Sequence, residues 1–505
     1  MNGVLAIDPS APAVEAGGQW RTFGEISARV EGLDRALNGL GLGAESRVAV
    51  FMSNRFEAFA ALCALQATDR CLVIVNPAYP DATISADLME LKAPVVVAEA
   101  AQWDRPGVRE AVRAIGAAGI VMGGQGAPVA FVEGLDKVVG PELKRRAPGV
   151  VIEMLTSGTT GKPKRIPLSR DSFQHSIGST VEAGQEPGAA PRLRKGVQIL
   201  PAPLSHISGI SRALTAIASG RQNCLIERFN VPEWRDAVVR YRPKMASVPP
   251  TGLRMILEAN VPKEDLASLT GIASGTAPVD DALIQAFLDR YDLPVLANYG
   301  ATEFSGGVAN WSLADFRAHY ARKRGSVGRL QRGAEGRVVD PDTGAPLPFG
   351  EVGVLELRSK QLADPDSWLR TTDLAVLDDE NFLWIKGRAD SAIIRGGFKV
   401  HPEDIVKALE AHPAVREAAV VGIRDQRLGE APAAAIILAA GQSAPPEDEL
   451  VAFLRTRLTA YQVPVRFRYV DDFPRTSSMK PAIPALRDLL SEPDRQVNGA
   501  LDRPA

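Results

Sequence analysis

Cysteine is scarce in this chain of 505 residues. Cys63, Cys71 and Cys224 offer neither a disulfide framework nor a metal-ligand spacing, and they fit a reducing cytoplasm. Histidine is almost as rare, and His175, His206, His319, His401 and His412 are too scattered in sequence to suggest a metal cluster. Charge of one sign is also missing. The formal net charge is −2, so no global field favours nucleic acid or an anionic membrane. No apolar run is long enough to span a bilayer, which argues against stable membrane insertion. The segment Met1 to Asp8 lacks a basic region leading into a long apolar core, so no signal peptide is expected. Repeats and low-complexity tracts are absent.

What is there is the composition of a large soluble globular protein. Hydrophobic residues make up 45% and charged residues 23%, which is ordinary for a globular protein, and the length calls for two or more domains. Strand-like and helix-like segments alternate through the first large part. Strand signals fall at Arg47–Phe51, Val95–Val97, Val197–Leu200, Met245–Val248, Gly271–Ser274 and Pro294–Ala297, with helical periodicity over Glu57–Leu65 and Asp281–Tyr291. This predicts sheets covered by helices. After about residue 325 the chain becomes turn-rich, and Val352–Leu357 alternates as a half-buried strand should, which predicts a smaller β-rich subdomain. Beyond the polar run Gly387-Arg388-Ala389-Asp390 lies an α+β region. Its helix opens at Pro402, with Glu403 and Asp404 at the positive end. Strand signals follow at Ala418–Ile423, Ala434–Leu438 and Phe467–Val470, with a helix at Glu447–Leu458. The expected fold is α/β, with a large multi-subdomain N-terminal domain over residues 1–388 and a small mobile α+β domain over 389–505. The tail after Ser491 should fray.

The richest local signal is Leu155-Thr156-Ser157-Gly158-Thr159-Thr160-Gly161-Lys162-Pro163-Lys164, directly after the apolar run Val150–Met154. Glycines let backbone N–H groups approach a polyphosphate, hydroxyls donate to it and lysines neutralise it. A Walker loop is excluded. Gly158 and Gly161 are too close together, and Pro163 follows Lys162 where a magnesium-binding hydroxyl should stand. Pro163 also turns Lys162 away from helical geometry.

Five more segments follow in order: Asn298-Tyr299-Gly300-Ala301-Thr302-Glu303, Thr371-Thr372-Asp373, Gly387-Arg388, Arg395-Gly396-Gly397-Phe398-Lys399-Val400-His401-Pro402, and Pro474-Arg475-Thr476-Ser477-Ser478-Met479-Lys480. Together the six resemble the adenylate-forming superfamily of acyl-CoA synthetases, peptide-synthetase adenylation domains and luciferases, from Thr22 to about Leu490. The resemblance implies two half-reactions. A carboxylate attacks the α-phosphate of ATP and releases pyrophosphate, and an acceptor then takes the acyl group from the acyl-adenylate. It implies that Thr156, Ser157, Gly158, Thr159, Thr160 and Lys164 hold the β- and γ-phosphates, that Thr302 bonds the α-phosphate and that Glu303 ligates Mg2+. Tyr299, between Asn298 and Gly300, would stack on adenine beside a backbone wall at Ser274, Gly275 and Thr276. Asp373 would take the ribose hydroxyls and Arg388 a ribose or phosphate oxygen. Lys480 would reach the α-phosphate and the acid, with His206 near the acyl site. Asp390 would be the hinge, and Gly396 and Gly397 would line a pantetheine tunnel in a second domain pose. Thr372 and Met479 depart from the pattern, since both positions usually hold glycine. If position 479 needs φ > 0, methionine is strained there.

The acid pocket is expected among His206–Ser211, Ser274-Gly275 and Phe304–Gly307. These are small or apolar residues with no group to pair a charged tail, which favours an aromatic or medium-chain acid. The expected activity is that of an acid–thiol ligase using ATP, Mg2+ and coenzyme A in the cytoplasm, with a homodimer compatible. Two alternatives use the same acyl-adenylate: an amide synthetase, and an enzyme that acylates a carrier protein. A third is a non-catalytic nucleotide-binding homologue.

Overall fold

The computed structural model describes residues 2–123, 128–156, 164–182, 190–395, 398–425, 427–476 and 479–492. Ser157, Gly158, Thr159, Thr160, Gly396, Gly397 and the tail from residue 493 lie outside the described residues. Thr156 and Lys164 are described as backbone alone.

Five sheets organise the chain. The largest has seven strands in the order Val129–Phe131, Ala118–Met122, Val95–Glu99, Arg47–Phe51, Cys71–Val75, Val150–Thr156 and Lys164–Ser169. Its five inner strands run parallel, and both edge strands are antiparallel to their neighbours. The central strands Arg47–Phe51 and Cys71–Val75 are buried at every position, as parallel strands covered on both faces must be. Thr156 pairs with Lys164 across the last antiparallel step. The Leu155–Lys164 motif therefore begins at the end of one strand and finishes at the start of its antiparallel neighbour.

The helix read as amphipathic over Glu57–Leu65 spans Phe56–Ala67 and is buried on all sides from Ala58 to Leu65. It lies between the seven-stranded sheet and a second sheet of Val197–Leu200, Gln222–Leu225, Pro12–Ala16 and Gln19–Thr22, which leaves it no solvent face. A third sheet holds Met245–Ser247, Gly271–Ser274, Val295–Ala301, Gly306–Asn310 and Arg329–Leu330. The fourth is antiparallel: Ala334–Val339, Gly353–Ser359, Leu369–Leu377 and Leu383–Arg388. Its second strand, expected to be half-buried, is buried at six of seven positions. Glu356 there is sequestered because it pairs with Arg337 across the sheet at 2.7 Å. The fifth sheet comprises Phe398–Val400, Ile393–Arg395, Gly429–Leu438 and Val415–Asp425, with Arg466–Tyr469 paired to Gly429–Leu438. Helices Pro402–Glu410, Glu447–Arg455 and Ile483–Ser491 cover it.

Two buried arginines hold the N-terminal sheets. Arg70 donates to Asp34 at 2.6 Å, to Asn38 and to the Leu42 carbonyl. Arg47 grips Glu153 through two bonds of 2.7 Å and also donates to the Leu91 and Lys144 carbonyls. Glu153 lies on the strand that enters the phosphate-loop motif, so this pair fixes the root of that loop. Removing one partner leaves an uncompensated buried charge. Arg47→Leu is expected to destabilise the protein by about 3–5 kcal/mol in urea unfolding, and Glu153→Leu on the same background should restore most of the loss. A double variant no more stable than Arg47→Leu would show that the pairing is not the cause.

Candidate active site

The third sheet supplies the cleft floor. The strand Val295–Ala301 carries Asn298, Tyr299 and Gly300 and then turns into the short 3-10 helix Thr302–Phe304. The strand returning from it comes so near that a Cβ on Gly300 would stand 2.2 Å from the Gly306 carbonyl oxygen. Glycine is obligatory there for packing. The Asn298 amide donates to the Ser274 carbonyl at 3.0 Å and lies where a Cβ of Gly275 would be. This locks the Ser274-Gly275-Thr276 loop against the strand, with Thr276 at φ 72°. Phe304 is buried beneath the turn, which leaves Thr302 half-buried and Glu303 exposed beside it.

The fourth sheet supplies the wall. Its antiparallel register sets Asp373 opposite Arg388. Tyr299 reaches across from the floor, and its hydroxyl donates to Asp373 Oδ2 at 2.5 Å. Burial, then the Asp373 charge, pushes the Tyr299 phenol far up, so it stays protonated and the bond persists. Among the described residues Asp373 Oδ1 carries no hydrogen bond. Arg388 donates twice to Asp390, at 2.8 and 2.7 Å, and once to the Thr372 hydroxyl at 2.7 Å. The departure at Thr372 thus has a physical role, because glycine would offer no acceptor there. Burial works against the Arg388 charge. The bond and charge of Asp390, followed by the fields of Asp373 and Glu303, outweigh it and raise its pKa.

The small domain brings in Lys480 on a tight hairpin. The Thr476 N–H donates to the Lys480 carbonyl at 2.8 Å, and the Lys480 N–H to the Thr476 hydroxyl at 3.2 Å. Met479 sits at φ 63°, the left-handed geometry that a glycine would accept without strain. Arg475 clamps the turn. It donates to the Met479 carbonyl at 3.1 Å while pairing with Glu417 at 2.8 Å. The Lys480 side chain keeps accessible surface, yet surrounding protein lowers its pKa. Burial is the main cause and the Arg388 charge the second, with Asp373 pulling the other way. His206, at the start of the helix Ile207–Ala218, feels the same amine. Burial, then Lys480, brings its imidazole down to about 4. The cleft thus gathers Tyr299, Asp373, Arg388, Lys480 and His206 from four distant segments. Lys480 and Arg388 face it together with Asp373, and Glu303 stands exposed nearby.

The small domain is held in this position by Arg254, on the helix Pro250–Glu258. It binds Glu410 on the helix Pro402–Glu410 at 3.0 and 3.3 Å. Burial lifts the Glu410 carboxyl above its usual range, and Arg254 opposes that lift.

A family model described as AMP-binding enzyme matches residues 5–364, and one described as AMP-binding enzyme C-terminal domain matches residues 405–480. The chain belongs to the AMP-binding enzyme family. This AMP-binding enzyme is 29% identical to 4-coumarate–CoA ligase 3 of Oryza sativa subsp. japonica, over 96% of the chain and 91% of the relative. Among solved structures it resembles O-succinylbenzoate coenzyme A synthetase from Bacillus subtilis in complex with ATP and magnesium ion, with a TM-score of 0.75, 24% identity and coverage of 97% and 98%. It also resembles the amide bond synthetase McbA from Marinactinospora thermotolerans, with a TM-score of 0.78, 26% identity and coverage of 97% and 99%.

Three arginines of the site region were not singled out from sequence. Arg475 lies inside a quoted motif, but its partner Glu417 is 58 residues away. Arg254 and Glu410 are 156 residues apart. Arg212 stands one residue beyond the segment assigned to the acid pocket.

The His206 shift makes a stability prediction. Its folded-state pKa lies below the ordinary 6.5. As pH falls from 6.5 towards 4 the unfolded chain takes up the proton first, so stability present above 6.5 is lost across that window. Relative to His206→Asn, the protein should lose up to about 3 kcal/mol between pH 7 and pH 4 in urea unfolding. Parallel pH profiles for the two proteins would contradict this.

Proposed function

We infer that this chain is an ATP-dependent carboxylic acid–CoA ligase that forms an acyl-adenylate and releases pyrophosphate before thioester formation. The observation that carries this reading is the convergence of the Lys480 amine on Arg388 and Asp373 across the cleft between the two parts of the chain. An anion attacking a polyanion needs fixed positive charge at the reacting centre. Lys480 and Arg388 supply it, and their mutual repulsion is relieved when phosphate and carboxylate oxygens come between them. Names among the relatives, 4-coumarate–CoA ligase and 2-succinylbenzoate–CoA ligase, support the acid–thiol assignment.

In this reading Tyr299 lies under adenine, with the Ser274-Gly275-Thr276 backbone beside it. Asp373 takes ribose hydroxyls through Oδ1 while Tyr299 holds Oδ2. Thr302 bonds the α-phosphate. The hydroxyls and lysine of the Thr156–Lys164 segment hold the outer phosphates. Among the described residues no cluster of three metal-ligating side chains occurs. The single carboxylate of Glu303 suits an ion that arrives with the nucleotide and keeps most of its other ligands as phosphate oxygens and water. Bound there, Mg2+ would neutralise phosphate charge. His206, neutral at pH 7, flanks the acid without adding a third cation. The acid is aromatic or medium-chain.

We place the division between the domains at 388/389, where the fourth sheet ends, and the hinge at Asp390. Turning there brings Gly396 and Gly397 to the pantetheine path for the second half-reaction, and it requires the Arg254–Glu410 pair to part. The three free, buried cysteines suit a cytoplasmic enzyme, and a homodimer is the assembly to test by light scattering. The likeness to McbA favours one second reading, in which an amine takes the acyl group.

Pyrophosphate release from an acid panel, with and without CoA, tests the assignment. CoA-dependent thioester is expected by mass, whereas amide formed from added amines alone would favour the second reading. Lys480→Ala should lower acid-dependent ATP–pyrophosphate exchange by about 3–4 kcal/mol of barrier, roughly a hundredfold or more. Exchange at full rate would remove the mechanism. Arg254→Gln should slow that exchange by about fivefold, for about 1 kcal/mol of lost docking. It should leave thioester formation from supplied acyl-adenylate intact. Equal slowing of both steps would show that the pair serves general stability instead.

A further inference from the structure

Arg212 lies on the helix Ile207–Ala218, which begins directly after His206. One side of this helix is core: Gly209, Ile210, Ala213, Leu214, Ala216 and Ile217 are buried. The helix packs on the strands Val197–Leu200 and Gln222–Leu225. It also touches the strand Gly306–Asn310 and the helix Arg170–Glu182. Its other side carries Ser208, Ser211, Arg212 and Thr215, spaced three and four apart, and each keeps partial accessibility. This polar stripe starts beside His206, and the helix that carries it touches the strand bearing Gly306 and Gly307, both expected at the acid pocket.

Two donors on the stripe have no partner among the described residues. The Ser211 hydroxyl is buried without a hydrogen bond. Arg212 makes no hydrogen bond or ion pair among the described residues. Burial lowers its pKa, and no carboxylate among the described residues offsets the effect. Arg212 is therefore crowded by protein atoms yet keeps partial accessibility. Other deep arginines of this protein are paired: Arg47 with Glu153, Arg70 with Asp34, and Arg475 with Glu417. An unpaired buried cation is costly, and a ligand that brings the counter-charge removes that cost. Six residues at 1.5 Å each put Arg212 about 9 Å along the helix from His206. That span suits a benzene ring or a chain of several carbons between two acid groups.

We propose that Arg212 receives a second carboxylate at the far end of the acid substrate, which makes the natural substrate a dicarboxylic acid with an apolar middle. This rests on the ligase reading and refines its substrate class. The reacting carboxylate lies at the His206 and Lys480 end. The planar guanidinium takes the distal carboxylate through paired N–H donors, with the Ser211 hydroxyl adjacent. A monoacid of the same length would set a methyl or ring edge against an unpaired charge, so the pocket discriminates by leaving that charge unanswered.

The test uses matched pairs: octanoate with octanedioate, and 3-phenylpropanoate with 3-(4-carboxyphenyl)propanoate. For each acid, kcat/KM is read from pyrophosphate release with ATP and Mg2+, and binding to the full chain is read by calorimetry. The diacid of each pair should be preferred at least tenfold in both readouts. Arg212→Met should abolish or reverse the preference by gaining on the monoacid, and Arg212→Lys, which keeps the charge should the methionine variant fail to fold, should retain part of it. Equal or better binding of the monoacids to the wild-type protein would overturn the proposal, as would an unchanged ratio in Arg212→Met. Absence of pyrophosphate release with every acid would strike the ligase reading alone, since the binding ratio still judges Arg212.

Discussion

The site depends on one electrostatic constraint: two cations, Lys480 and Arg388, are brought to the same cleft from different parts of the chain. Neither is satisfied by the other. Burial and the Arg388 charge both lower the pKa of the lysine, and Asp373 compensates only in part. A cleft of this kind is organised for an anion that has yet to arrive. In the proposed reaction this charge is in place beforehand, so little reorganisation is needed at the transition state. Tyr299 contributes by donating to one oxygen of Asp373, which fixes that carboxylate at the cleft.

Presenting Lys480 in this way strains the chain. Met479 adopts a left-handed backbone that most side chains avoid. The turn is held by the Arg475 guanidinium, which binds the Met479 carbonyl at one edge and Glu417 at the other. Glu417 lies on the strand that starts five residues after Glu410, the partner of Arg254 in the large part of the chain. The Ala418 N–H on that strand donates to Glu410 at 3.2 Å, so one strand braces both the docking pair and the turn that offers the amine.

Much of the fold was legible in the sequence because its signals are local. The strands Arg47–Phe51, Val197–Leu200 and Gly271–Ser274 and the helix Asp281–Tyr291 have the bounds that periodicity indicates. Pro402 opens its helix as its fixed φ favours. Burial was less legible. The helix Phe56–Ala67 and the strand Gly353–Ser359 are covered on faces that pattern alone assigned to solvent, because a second layer arrives from distant sequence. In the site, motif order pointed to Tyr299, Asp373, Arg388 and Lys480, which the structure gathers in one cleft. The partners Glu417, Glu410 and Arg254 carry no local signature, since each acts through a contact made only on folding. Arg212 was passed over for another reason. An arginine in a helix reads as a solvated residue until the structure shows it deep and without a carboxylate.

The most direct measurement of the central claim is the pKa of the Lys480 amine, followed by NMR of the labelled ammonium in the free protein and with a non-hydrolysable ATP analogue. The account predicts a value below that of an ordinary lysine in the free protein and a rise when the analogue binds, because phosphate oxygens would then separate the amine from Arg388. An ordinary lysine value that the nucleotide leaves unchanged would contradict it.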